Sequence, residues 1–218
     1  MYSCILTIFA KCQSIQKTDT ILAYEKAAFP GKDVKNELSK NAKYPKSALE
    51  NNIQGDVIVS FVIRKDGKLD SLIIESSPAS AFSTSAIVPL NAFKEGWIPA
   101  KISNNPVDKT YLMVFRFRMY LNSSPQDYKG EIMKHVRKLD YDKALRYCNE
   151  AIADNPYNGE LFEFRSVIKE RLGDKAGALA DTNASLRLSS NLMSVVNVFA
   201  IGVSRTERSV GQPAGMVR

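Results

Sequence analysis

Two apolar runs on either side of Asp66-Gly67 constrain the fold more than any other feature of this chain. Residues 56–63 read Asp-Val-Ile-Val-Ser-Phe-Val-Ile, rich in β-branched and aromatic side chains that suit a pleated strand. Side chains alternate across a strand, so Val57, Val59, Phe61 and Ile63 share one face. Asp-Gly between two such runs is a strong short-range hairpin signal, and residues 69–76 return as the second strand with Leu72, Ile73 and Ile74. Ser77-Pro78 stops it. Residues 81–93 then place Phe82, Ala86, Leu90 and Phe93 at helical spacing, with Pro89 expected to kink or shorten the helix. After the turn at Asn104-Asn105-Pro106, residues 109–121 alternate again. Tyr111, Met113, Phe115 and Phe117 form a core face, and Leu112, Val114, Arg116 and Arg118 form the other. Hairpin, helix and late strand together predict a small antiparallel sheet with a helix on one face and residues 110–118 at its edge.

The residues before the hairpin fit that layout. Phe29-Pro30-Gly31 is a turn signal, and Val34 and Leu38 mark a short amphipathic helix. Tyr44-Pro45 ends it, because the residue before proline is pushed out of the helical region. A further short helix over 46–51 carries Ala48 and Leu49. Taken together, Tyr44-Pro45-Lys46-Ser47-Ala48, Asn52-Ile53-Gln54-Gly55-Asp56-Val57, Phe61-Val62-Ile63, Lys65-Asp66-Gly67 and Trp97-Ile98-Pro99-Ala100 resemble the C-terminal domain of the TonB energy-transducer family, in the family's order, over residues 29–121.

That resemblance implies a two-layer α+β domain, helices on one face of an antiparallel sheet, working in the periplasm. It also implies docking on TonB-dependent outer-membrane transporters, whose short segment adds as a strand to the sheet: backbone hydrogen bonds supply affinity and side-chain pockets supply selectivity. Carried onto this sequence, the partner-binding candidates are Tyr44 and Pro45 and the edge strand through Thr110, Leu112, Val114, Arg116 and Arg118. The competing expectation is that Tyr111, Met113, Phe115 and Phe117 are core, and that Trp97 and Pro99 define the fold rather than a contact. Two departures stand out. Phe82-Ser83-Thr84-Ser85 replaces the acidic residues that commonly open the family's second helix. The family's transducers also carry an N-terminal membrane-spanning helix and a long Pro-rich spacer, which these 218 residues do not contain. The expectation is therefore a binding protein rather than a complete energy transducer.

The second half repeats. Ala144-Leu145 recurs as Ala178-Leu179, 178 − 144 = 34 residues later, which is the tetratricopeptide (TPR) period. Leu139-Asp140-Tyr141-Asp142-Lys143-Ala144 parallels Leu172-Gly173-Asp174-Lys175-Ala176-Gly177-Ala178 with one extra residue in the second copy. Two TPR-like repeats are expected over 125–191, roughly 125–158 and 159–191, with a capping helix over 192–202, since two repeats alone bury little core. Lys134, Arg137 and Lys138, with Arg146, could line a peptide-binding groove on that unit; a solvated helix face is the plainer reading.

Composition narrows the function. The net charge of +7 is interleaved: residues 30–121 carry 13 basic and 9 acidic side chains, and 122–191 carry 11 of each. No basic stripe of the kind that grips nucleic acid emerges. Cys4, Cys12 and Cys148 lack metal-ligand spacing and His135 is the only histidine, so no metal or cofactor site and no catalytic constellation are expected. Asp140 and Asp142 sit at a turn where acids cap helices. Residues 1–14 read as a secretory signal peptide without a basic start, residues 15–28 as a linker, and 203–218 as a disordered tail. Two functions follow from different classes. One is an exported periplasmic protein that binds an envelope partner, such as a transporter, by strand addition. The other is a TPR scaffold, periplasmic or cytoplasmic, in which the TonB-like domain is only a structural module.

Overall fold

The computed structural model describes residues 23–120 and 126–201. The expected signal peptide, most of the linker and the tail lie outside those residues. In chain order the elements are β1 (Tyr24–Glu25), α1 (Val34–Asn41), α2 (Lys46–Glu50), β2 (Gly55–Ile63), β3 (Leu69–Ser76), α3 (Ser80–Leu90), β4 (Ala100–Ile102), β5 (Asn105–Val107), β6 (Lys109–Tyr120), α4 (Tyr128–Arg137), α5 (Tyr141–Asp154), α6 (Gly159–Arg171), α7 (Lys175–Asn191) and β7 (Leu192–Ile201). An α+β domain is followed by a helical unit, and the chain then returns to the first sheet.

The main sheet has the order β3-β2-β6-β7. β2 pairs antiparallel with β3 and with β6, in a register running from Gly55 opposite Phe117 to Ile63 opposite Lys109. The alternation did its work: Val57, Val59, Phe61 and Ile63 meet Tyr111, Met113, Phe115 and Phe117 on one fully buried face. Phe82, Ala86 and Leu90 of α3 and Leu38 of α1 cover that face. Pro89 sits in the last turn of α3, where it has no N–H to give the Ser85 carbonyl one turn back, and the helix gives way to a 3₁₀ turn over Asn91–Phe93.

The Asp-Gly turn and the lone tryptophan turn out to be one device. Gly67 adopts φ +81° and packs against the Trp97 backbone, whose N–H donates to the Gly67 carbonyl at 3.1 Å. Any Cβ at Gly67 would collide with the Trp97 carbonyl oxygen. The Trp97 indole is buried edge-on to Phe29, with centroids 5.2 Å apart, and its N–H donates to the Phe93 carbonyl at 2.7 Å. Residues 23–28, expected to be linker, instead carry a short strand and a bridge. β1 pairs with β4 in a second small sheet, β1-β4-β5, and Ala28 bridges to Ile98.

The helical unit is two antiparallel hairpins, α4–α5 and α6–α7, around Ile132, Ala144, Cys148, Ala151, Leu161, Phe164 and Ile168. Every helix has a side-chain N-cap: Asp127, Asp140, Asn158 and Asp174 each accept from a backbone N–H in the first turn. The 34-residue offset is visible in the backbone. Leu139 and Gly173 both take the left-handed conformation at the turn, at φ +58° and +85°. Asp140 and Asp174 cap the next helix, and Ala144 and Ala178 are buried. Leu139 is thus equivalent to Gly173 with no extra residue, which corrects the alignment of Leu139 with Leu172.

The largest correction is at the end of the chain. Residues 192–201 form not a capping helix but a strand. Val195, Val196, Val198 and Ile201 are β-branched and lose side-chain freedom in a helix. The unpaired side of β6 offers their backbone a ladder instead.

Candidate partner-binding edge

Among the described strands of this sheet, β3 and β7 are the outermost. β6, expected at the edge, is an interior strand. β7 runs parallel to it from Leu112 opposite Leu192 to Tyr120 opposite Ile201, with one irregularity between Leu112 and Met113. Leu112, Val114, Arg116 and Arg118 therefore do not present a free backbone edge. A parallel neighbour needs a long crossover, and here the whole helical unit is that crossover. Thr110 lies just before the stretch that β7 covers and is exposed.

The seam has two different faces. Toward the core, Val196 and Val198 sit opposite Phe115 and Phe117 and are buried with Leu38 of α1, which packs against β7. On the other face Val195 and Asn197 are half-buried, and Phe199 is exposed, its ring edge-on to Tyr120 at 5.4 Å.

The two arginines are tied up inside the chain. Arg116 is buried and donates to the Asp154 backbone carbonyl at the end of α5, with the Asp154 carboxylate 3.4 Å away. Arg118 Nη1 lies 2.7 Å from Asp56 Oδ1, and Arg116 Nε 3.8 Å from the same oxygen. Asp56 Oδ1 and Arg116 Nε have no aligned hydrogen bond, so charge rather than geometry holds this cluster. Arg116 fastens the helical unit to the sheet; as a partner contact it is not available.

A second set of polar contacts fixes the point where α7 becomes β7. Lys26 Nζ donates to the Leu192 carbonyl at 2.6 Å, Lys109 Nζ to Asn191 Oδ1 at 3.0 Å, and the Tyr24 hydroxyl to the Ser190 carbonyl at 3.3 Å. Cations and donors at a helix C-terminus satisfy its last carbonyls. Burial pulls the Lys26 ammonium below its usual range. Burial also raises the Tyr24 phenol, helped by its hydrogen bond to Tyr111 at 2.9 Å.

The remaining sequence candidates fall elsewhere. Tyr44 is half-buried, edge-on to Phe82 and Phe117, and its hydroxyl donates to the Ile53 carbonyl at 2.6 Å; Pro45 opens α2. Both shape the core beside β2. Lys134, Arg137 and Lys138 are exposed at the end of α4, with Lys134 paired to Glu131 at 2.9 Å. They lie outside the β6–β7 seam. Arg146 stacks over Tyr147, as does His135, which also contacts Asp140 at 3.3 Å. Burial pushes the Cys148 thiol up to about 12, so it stays protonated and inert at neutral pH.

What the geometry defines is a two-layer α+β domain whose sheet takes a parallel strand along its last antiparallel member. Residues 40–119 match the family model described as the Gram-negative bacterial TonB protein C-terminal, so this stretch is a TonB-like domain. The matched stretch ends at β6 and excludes both the helical unit and β7. No curated protein matches the chain. No helix among the described residues is long and apolar enough to cross a membrane. Sequence reasoning missed β7, although ten charge-free residues with four β-branched side chains were a readable strand signal.

Proposed function

We propose that this chain is an exported, periplasmic protein-binding protein that engages an envelope partner by strand addition at the β6 side of its TonB-like sheet, with a TonB-dependent outer-membrane transporter as the partner class. The observation that supports it most is the β6–β7 pairing itself. From Leu112 to Tyr120 the sheet accepts a parallel strand, with side-chain sites on one face of it. Backbone pairing plus alternate pockets is the physical basis of β-augmentation. The reading assigns no catalysis and requires no cofactor.

The 34-residue equivalence of Leu139 with Gly173 and Asp140 with Asp174 favours a second reading, a TPR-like scaffold whose helical face carries the main partner. Photo-crosslinking residues placed in cells at Leu112 and Tyr120 on β6, and in parallel at Lys134, Arg137 and Lys138, separate the two. Strand addition predicts covalent adducts to an outer-membrane protein from the seam positions. Adducts from the helical positions alone sink it in favour of the scaffold.

A further inference from the structure

We infer that β7 is a tethered occupant of the place a partner's strand takes, and that its sequence states what such a partner must look like. This rests on the strand-addition reading above and concerns how the same site is regulated.

Three observations carry it. The first is modularity. The matched TonB-like stretch, residues 40–119, ends within β6, and β2, β3 and β6 pair antiparallel among themselves with β2 in the centre. β7 is laid onto that module from a distant part of the chain and is bonded in the sheet to β6 alone. The second is shape. β7 fills the groove between β6 and α1 with Val196 and Val198, while Ala200 is buried further along the same face. Small and β-branched side chains at every second position are what the groove holds. The third is charge. β2, β3 and β6 each carry ionised side chains, but Leu192–Ile201 has none, and no proline or glycine. A strand whose inner face is fully desolvated has no place for a charge.

The occupant that fits is therefore an extended segment of a protein partner, ten residues long as β7 itself is. It is charge-free, runs parallel to β6 and places β-branched or small residues at alternate positions. It binds by replacing β7, which swings out on α7 once the contacts of Lys26, Lys109 and Tyr24 at residues 190–192 give way. While β7 is seated, the edge is closed to weaker strands.

The test uses the full chain and a fluorescent peptide of residues 190–202 as the probe. In the variant Val196→Asp with Val198→Asp, the internal strand cannot be buried and vacates the groove. Apparent affinity scales with the fraction of open edge, so the variant binds the peptide at least about tenfold more tightly than the unaltered chain does. A peptide carrying the same two aspartates binds neither. Equal binding to both proteins overturns the inference, as does a folded variant that ignores the peptide. If the variant loses its cooperative melt, hydrogen exchange on the unaltered chain decides. Amides of residues 112–120 that bond to β7 exchanging about tenfold faster than those that bond to β2 show that the seam opens on its own, and equal protection overturns the idea. The peptide needs no natural partner. Peptide binding without crosslinks in cells sinks the proposed function alone, and crosslinks without peptide binding sink this inference alone.

Discussion

Truncating the inward side chains of β7 is the sharpest check on its placement. Val196 has no solvent exposure and Val198 has 4%. Val→Ala removes two methyl-sized groups, about 1.6 kcal/mol at about 0.8 each. The hole left behind adds roughly 0.5–1 kcal/mol at about 24 cal/mol per Å³. Each variant should therefore lose about 2–2.5 kcal/mol. Trp97 is the only tryptophan in the sequence and lies in the same core, so its emission follows urea unfolding of the sheet directly. A loss below about 0.5 kcal/mol for each variant refutes the placement of β7 in the core, since surface changes cost about that little. The double variant carries further information. If the strand leaves before the sheet unfolds, the combined loss stops short of the sum, because an undocked β7 no longer feels the second truncation.

Four other outcomes follow from the same structure. Leu139→Gly relieves a left-handed leucine that is 70% exposed and should stabilise the helical unit by about 0.5 kcal/mol in thermal melts, whereas Gly173→Ala should cost about 1. Gly67→Ala combines positive φ with a collision against the Trp97 carbonyl; denaturant titration should show a loss of about 2–3 kcal/mol and a red shift of Trp97 emission. Arg116→Met strips the Asp154 carbonyl of its donor and leaves Asp56 to Arg118 alone, costing about 1–3 kcal/mol, part of which Asp56→Asn should restore in a double-variant cycle. The last outcome concerns acid. Burial pushes the Asp181 carboxyl up, but hydrogen bonds and charge from Arg165 and Lys169, at 2.7 and 2.8 Å, outweigh it and hold the group below the ordinary aspartate range. A lowered native pKa gives stability that is present above about pH 4, the unfolded aspartate value, and is lost as pH falls further. Helical circular dichroism melts should show that loss below pH 4, and Asp181→Asn should lower the stability and weaken the pH dependence, leaving the share of Asp140, which is also held below its ordinary range.

Much of the α+β domain was legible because its signals are local. Alternation in residues 56–63 and 109–120, Asp66-Gly67 between two strands, and Phe82, Ala86 and Leu90 at helical spacing each specify an element within a dozen residues. The first turn of the helical unit was legible for the same reason, through Asp140 as a cap; the Asp174 cap emerged with the structure. That the candidate edge on β6 is occupied was not. Arg116 and Arg118 read as an exposed polar face, yet Arg116 is closed over by the end of α5, some forty residues away in sequence. The segment 192–201 was drawn toward a helix by the logic of repeats, against its own β-branched content.

By itself, then, the sequence determined the main hairpin, the helix after it and the late strand, the inward face of each, the turn at Asp66-Gly67 and the kinship of residues 29–121, of which 40–119 match, with the TonB C-terminal domain. All of these rest on side-chain periodicity and backbone preferences that act over short distances. Only the tertiary structure decided which edge of the sheet is open, because a strand's backbone bonds carry no record of their partner in the residues that make them. β6 reads the same whether its neighbour is water, another protein or, as here, Leu192–Ile201 of its own chain.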